Sequence, residues 1–340
     1  MTSTASVDGF LLEAVAGRGR EGVRWTLDLL DNGTPADDVI VDLLAVAQRE
    51  VGSRWQRNEW SVADEHLATA VTQKSLDAVA GTVVPPTARG NVVVACAEGD
   101  WHSLPAQMFA ERLYLRGFEV SFLGASTPVD HVEALLGRHQ FDALAVSCNV
   151  PLFFDGVARL AVAAHRQGTP VIAGGRALGG DDRRAAHLGA DAWAAGADGA
   201  AAVIERWRAN PPTAFRVQSP AVDVLQERAD AIAERAFSAL FSAFPQMASY
   251  TTDQLSRTRE DLVFIVQFAR AAVMVDDATV FHEFIDWLGT LLSSRGVPSA
   301  ALDEGLAALS PLLSDIDPRA GLLVEDARGR TGGSSARSEP

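Results

Sequence analysis

Residues 91–103, NVVVACAEGDWHS, decide the fold: a run of small and β-branched residues ends abruptly in an acidic, glycine-containing turn that leads into a helical pattern. The run is too short for a buried helix and is rich in strand formers, so it reads as a strand buried on both faces. The same unit recurs as FEVSFLG at 118–124, ALAVSCN at 143–149, PVIAGG at 170–175 and AWAAG at 192–196, each followed by a candidate helix. This alternation over residues 90–210 predicts a flavodoxin-like doubly wound parallel sheet. Ligands of such sheets sit beyond the carboxyl ends of the strands. The residues there are Asp100, Trp101, His102 and Ser103 after the first strand, and Gly124 and Ser126 after the second. Ser147 and Asn149 follow the third, Gly174 and Gly175 the fourth, and Gly196 the fifth.

Outward from the sheet, both flanks are helical. Residues 1–85 carry apolar positions at helical spacing in FLLEAV, VRWTLDLL, DDVIVDLLAVAQREVGSRW and DEHLATAVTQKSLDAVAGTVV, which predicts a four-helix bundle closed by the linker PPTARG at 85–90. After a polar connector at 210–219, residues 220–318 show helical periodicity alone, with candidate helices at 223–244, 252–275 and 278–296. An all-helical domain with its own core is expected there. Residues 319–340, ending in GRTGGSSARSEP, are expected to be a disordered tail.

The chain of 340 residues has a formal charge of −15, which opposes a surface built to neutralise phosphate backbones, so no direct nucleic-acid partner is expected. No signal-peptide pattern or membrane-length apolar run is present, and a cytoplasmic, membrane-free protein is expected. Cys96 and Cys148 lie inside strand-like apolar runs and read as buried thiols.

His102, on a loop at the sheet's carboxyl edge, can offer one imidazole nitrogen to a metal while Asp100, two residues earlier, binds the other and fixes the tautomer. A lone loop histidine is more often simply solvated. The wider pattern, Asp100-x-His102, then Ser147, then Gly174-Gly175, resembles the B12-binding domain family, with Pro105 and Asn149 standing where that family has Gly and Leu. The resemblance implies a cobalamin whose own base is detached and buried in the crevice, with His102 replacing it as lower cobalt ligand. It also implies that the glycines let the nucleotide tail pass close to the backbone.

Upstream, RWQRNEWSVADEH at 54–66 contains Trp55 and then Glu65-His66, with Ser61 and Asp64 spaced as a helix cap that would bring Val62, Glu65 and His66 to one surface. From the segment alone, Trp55 in the bundle core and a solvated Glu65/His66 pair is the simpler reading. Trp-x9-Glu-His directly before a B12-like domain resembles the cap of CarH-type light-dependent regulators. That likeness implies that Trp55, Val62, Glu65 and His66 enclose the 5′-deoxyadenosyl group of adenosylcobalamin. Gln56 stands where those photoreceptors typically carry a histidine, so a bis-histidine photoproduct is not expected. The bundle opens the chain with no DNA-binding module ahead of it, and direct promoter repression is not expected either.

In the last domain Arg257, Arg259 and Asp261 cluster before the run LVFIVQF. Tyr250, Phe264, Phe268, Phe281, His282, Phe284 and Trp287 supply aromatic surface nearby. Such a mix suits a flat conjugated acid, with arginines on its carboxylates and Asp261 on its ring N–H groups. The order cap, B12-like domain, then TREDLVFIVQFARAAV and FHEFIDWLGTLLSSRGVP resembles the photocobilins, whose last domain is similar to a haem-free globin and binds biliverdin. No cysteine lies in this region, so a noncovalent bilin is implied. The expected function is a light-sensing, non-enzymatic receptor that binds adenosylcobalamin and biliverdin. It would signal by Co–C photolysis through a conformational or oligomeric change, as a homodimer acting on a partner protein. The alternative is a corrinoid methyl carrier of a methyltransferase system, and a third reading is an interaction protein with a vestigial B12 fold.

Overall fold

Five parallel strands form the centre of the molecule: β1 (Asn91–Cys96), β2 (Glu119–Phe122), β3 (Ala143–Ser147), β4 (Val171–Gly174) and β5 (Ala192–Trp193), in the order β2-β1-β3-β4-β5. The computed structural model describes residues 4–84, 89–210, 212 and 224–334. Most of the linker 85–90 and of the connector 210–219, and residues 335–340 of the expected tail, lie outside the described residues.

Period-two alternation assigns the two faces of the sheet. Val92, Val94 and Cys96 of β1 pack with Ala106, Leu113, Ala200 and Ile204, whereas Val93 and Ala95 pack with Val132 and Leu160 on the other side. Helices α6 (Ser103–Leu115) and α10 (Ala197–Ala209) cover the first face, and α7 (Val129–Leu136) and α8 (Phe154–Arg166) the second. The short α9 (Arg183–His187) leads into β5. Strand order reverses between β1 and β3, whose register pairs Cys96 with Ser147, so the crevice expected of a doubly wound sheet opens beyond those two residues.

The amino-terminal bundle comprises α1 (Thr4–Val15), α2 (Gly19–Asp31), a third helix and α5 (Val62–Ala80). The third helix runs from α3 (Ala36–Asp38) through a π-helical segment, Val39–Leu44, into α4 (Ala45–Gln56). Its core of Phe10, Leu11, Ile40, Leu43, Leu44 and Leu76 is fully buried and is joined by Leu104 and Met108 from α6. Helix α6 is thus amphipathic twice: Leu104 and Met108 face the bundle, while Ala106, Ala110 and Leu113 face the sheet. The joint is locked by charge. Arg112 on α6 and Arg116 just past its end both bind the Asp37 carboxylate at the start of α3, and Arg116 also binds Asp198 on α10 at 2.6 Å. Burial pushes the Asp37 carboxyl up, but the hydrogen bonds from Arg112 and Arg116 outweigh it and hold the group down at about 2.

Helices α11 (Val224–Ala243), α12 (Thr252–Met274), α13 (Thr279–Ser294), α14 (Ser299–Ser314) and α15 (Pro318–Ser334) complete the chain. Two expectations are corrected here. The segment expected to be a disordered tail from 319 begins with α15, whose Ala320, Val324 and Ala327 are buried against the other helices. Those apolar positions recur at helical spacing, a local signal masked by the Gly/Ser-rich residues that follow. Nor do these helices keep a core to themselves: one apolar cluster runs from Val93, Leu144 and Leu160 of the sheet domain to Phe237, Phe281 and Leu306. A buried guanidinium seals that junction, with Arg184 donating to Asp277 Oδ2, Thr279 Oγ1 and Ala177 O, each at 2.8 Å. Among the described residues no helix is long and apolar enough to cross a membrane.

Candidate functional site

The loop after β1 builds the centre of the site. Asp100 is fully buried, and every short contact of its carboxylate serves the same purpose. Its Oδ1 accepts from the His102 backbone N–H at 3.0 Å and lies 2.7 Å from His102 Nδ1, while Oδ2 accepts from the Asn149 N–H at 2.7 Å. A carboxylate in that place fixes the proton on Nδ1 and leaves the Nε2 lone pair available. The His102 side chain stays 60% exposed at the amino end of α6, so its ring is oriented from below and open above. The hydrogen bond to Asp100 raises the His102 pKa above its usual value against desolvation, and the charge of Glu65 on the cap adds to the rise.

Neighbouring strand ends lace the loop in place. Ser126, at φ +43°, donates its backbone N–H to Asp100 O, and its Oγ accepts from the Gly99 N–H at 3.0 Å. Ser147 ends β3, and the Asn149 amide reaches both Ser147 Oγ and His102 O at 3.3 Å. The part played by the Asn149 clamp was not readable in advance: it stands where the family pattern has Leu, and the fold shows its amide reaching His102 O. Gly174 ends β4 and Gly175 follows at φ +101°, where a Cβ would lie 2.4 Å from Cys148 O. Only glycine fits there, because both the backbone conformation and the space exclude a side chain. Gly124, at φ +82°, and Gly196, at the start of α10, sit at the ends of β2 and β5 on the same edge. Ser103 opens α6, and Trp101 is 77% exposed beside His102. Cys96 and Cys148 are buried free thiols, with burial pushing the Cys96 thiol up to about 12 and raising the Cys148 thiol well above its usual value as well.

On the cap, Ser61 and Asp64 form a capping box that starts α5 at Val62, and both Val62 and His66 are exposed, with the His66 side chain 73% accessible. Glu65 Oε2 lies 3.7 Å from His66 Nε2. The simpler reading of Trp55 as a bundle-core residue does not hold. Trp55 is absent from the bundle's core and packs instead against the cluster shared with the carboxy-terminal helices, stacked on Trp287 with ring centroids 6.3 Å apart.

The cluster expected at Arg257, Arg259 and Asp261 is split by the helix that carries it. Arg257 pairs with Asp253 in the open, and Arg259 turns away to Glu234 with its guanidinium 3.6 Å over the Phe237 ring. Two residues along a helix are about 200° apart, which is why the three cannot share a face. Burial pushes the Asp261 carboxyl up to about 6 against the pull of Arg295 and Arg257. His282 is not with them either: its Nε2 approaches Asp326 of α15 to 3.0 Å without hydrogen-bond geometry.

The donor set at the strand ends fits a corrin rather than a bare ion. It offers one oriented imidazole, and a corrin carries its own equatorial nitrogens; among the described residues no group of three metal-ligating side chains exists. Residues 90–204 match the B12 binding domain, and residues 8–80 match a second model also described as a B12 binding domain. The HTH-type transcriptional repressor CarA of Myxococcus xanthus is 31% identical over 130 residues, 37% of this chain and 43% of that protein. The match thus spans less than half of that curated relative. The monomethylamine corrinoid protein of Methanosarcina barkeri superposes at a TM-score of 0.51 and 19% identity, covering 60% of this chain and 99% of that one, which is a likeness of fold. A cobalamin-binding protein from Desulfitobacterium hafniense covers 59% of this chain and 98% of its own at 19% identity, with a TM-score of 0.32.

Proposed function

From a helical cap and a parallel sheet that together bind cobalamin, we propose that this protein is a light receptor whose ligand is adenosylcobalamin. The observation that carries the reading is the Asp100–His102 pair, its imidazole oriented by a buried carboxylate and open to solvent. In this reading His102 would hold the cobalt through Nε2, and the strand-end glycines Gly124, Gly174, Gly175 and Gly196 would leave room for the nucleotide tail. Trp55, Val62, Glu65 and His66 enclose the upper group. When bound, adenosylcobalamin supplies a photolabile Co–C bond. Trp55, Val62, Glu65 and His66 would lose a packing partner were the upper group released, and the cap would shift by the difference in affinity between its two positions. The output is a changed cap or a changed association of chains in a homodimer, read by a partner protein in the cytoplasm, with no catalysis by this chain. The CarA likeness, a transcriptional repressor by name, supports a regulatory role.

Biliverdin is proposed as a second chromophore in a globin-like pocket of the last helices. Asp261 supports it as a half-buried carboxyl raised to about 6, on the same helix face as Arg257 and the exposed Phe264. Arg259 and His282 drop out of that pocket because their partners lie elsewhere.

The test is an absorption spectrum of the full chain with adenosylcobalamin, before and after illumination, in the parent and in His102→Ala. The expected result is a base-off, His-ligated spectrum that converts on illumination in the parent and lacks the histidine signature in the variant. A photostable complex that instead accepts a methyl group from a corrinoid methyltransferase would establish the carrier reading. Titrating biliverdin into the full chain, followed by denaturation, tests the second chromophore: a red-absorbing complex that releases its pigment is expected.

A further inference from the structure

Helix α13 ends against the last turn of α4, and three contacts meet there. The Trp287 ring stacks on Trp55 at 6.3 Å between centroids and 21° between planes. The Arg295 guanidinium carbon lies 5.3 Å from the Trp55 ring centroid. The single Ser294 hydroxyl proton, shared with Leu291 O of its own helix at 2.8 Å, also reaches Gln56 O at 3.2 Å, a carbonyl at the end of α4. Behind Trp287 the column continues, with Phe284 at 6.0 Å and then Phe268 stacked on Phe284 at 3.7 Å and 3°. Phe268 and Phe284 are buried, so the outer indole rests on a rigid base.

Among the described residues, the cap offers Trp55 no comparable stacked ring or overlying guanidinium. Trp55 closes the exposed end of α4, outside the bundle's core, and the chain leaves the helix directly after it through Arg57 and Asn58, the latter at φ +57°. An indole in that position, held by its own helix alone, would sample several rotamers. The ring that fixes it belongs to another domain.

We infer that Trp287 is a positioning residue for Trp55, so that the carboxy-terminal helices, and not the cap by itself, set how selectively the cobalamin site accepts a bulky upper ligand. The inference rests on the reading in which Trp55 covers the upper group. It gives the last domain a part in the cobalamin site that is independent of any chromophore of its own. Arg295 lies over the same indole, and Ser294 approaches the carbonyl of the next residue, Gln56.

The test is the ratio of dissociation constants for methylcobalamin and adenosylcobalamin, measured on the full chain for Trp55→Ala, Trp287→Ala, Trp287→Phe and the double Trp55→Ala/Trp287→Ala. An aromatic pair of this kind corresponds to about two- to tenfold in an equilibrium constant. Trp287→Ala is expected to lower adenosyl selectivity by that factor, Trp287→Phe to restore most of it, and the double variant to match Trp55→Ala. In the cofactor-free protein each single alanine variant should abolish the same Trp–Trp feature of the near-ultraviolet circular dichroism. Trp287→Leu keeps the bulk but not the flat face, and carries the same expectation should the alanine variant unfold. Full selectivity in Trp287→Ala or Trp287→Leu, while Trp55→Ala loses it, would overturn the inference and leave Trp55 as a cover held by the cap. Losses that add in the double variant would overturn it too. Unchanged selectivity in Trp55→Ala would remove the premise, and the covering role with it.

Discussion

Replacing Asp100 with asparagine changes one atom in the most constrained part of the site. The carboxylate accepts at both oxygens: Oδ1 takes the His102 N–H and Nδ1–H, and Oδ2 takes the Asn149 N–H. An amide has one acceptor and one donor group. If its oxygen occupies the Oδ1 place, two hydrogen bonds survive and the NH2 group confronts the Asn149 N–H. If it turns over, the NH2 confronts the His102 N–H and can be satisfied by Nδ1 only after the ring proton moves to Nε2, which consumes the lone pair a metal needs. The first arrangement leaves one buried donor pair unsatisfied and replaces charge-assisted bonds with neutral ones, a cost of about 2 kcal/mol within the usual range of 1 to 3. Because the group orients the His102 ring, cobalamin affinity is expected to fall about 10- to 100-fold as well. Denaturant unfolding of the cofactor-free chain gives the first number and titration with cobalamin the second. Parent-like affinity together with an unaltered His-ligated spectrum would refute the claim that Asp100 fixes the tautomer of His102.

Gly175→Ala places a Cβ against Cys148 O in a backbone conformation that only glycine adopts easily; a loss of about 3 kcal/mol in unfolding free energy is expected, and a neutral substitution would mean that the β4 turn is wrongly described. The Asp37 clamp has a defined pH window: with its carboxyl held down at about 2 against 3.8 when free, its contribution is present above about pH 4 and disappears as pH falls toward 2. Allowing for screening at a side chain one-third exposed, the parent should lose roughly 0.5 kcal/mol more than Asp37→Asn between pH 5 and pH 3 in denaturant titrations, and equal losses would remove the clamp. Val324→Asp puts a charge at a buried position of α15 and should lower the thermal midpoint sharply; an unchanged midpoint would return the segment to a tail.

Strands, their helices and the loop that bears Asp100 and His102 were all written locally in the sequence. Each strand is a short run of β formers, and a carboxylate two residues from an imidazole on one tight turn meets it almost whatever the rest of the chain does. The capping box at Ser61 and Asp64 was readable for the same reason, since its partners are three residues apart. What depended on distant partners was not readable. The Arg257, Arg259 and Asp261 cluster looked like one site in the string, but helix geometry sends Arg259 to Glu234 and Phe237 on a different helix. The place of Trp55 was decided by tertiary structure alone, because Gln56 and its partner Ser294 are separated by 238 residues and no spacing rule links them. The join between the sheet domain and the last helices followed the same logic: each amphipathic face announced that it needed covering, and only the packed chain determined which apolar surface, and which buried charge such as Arg184, would cover it.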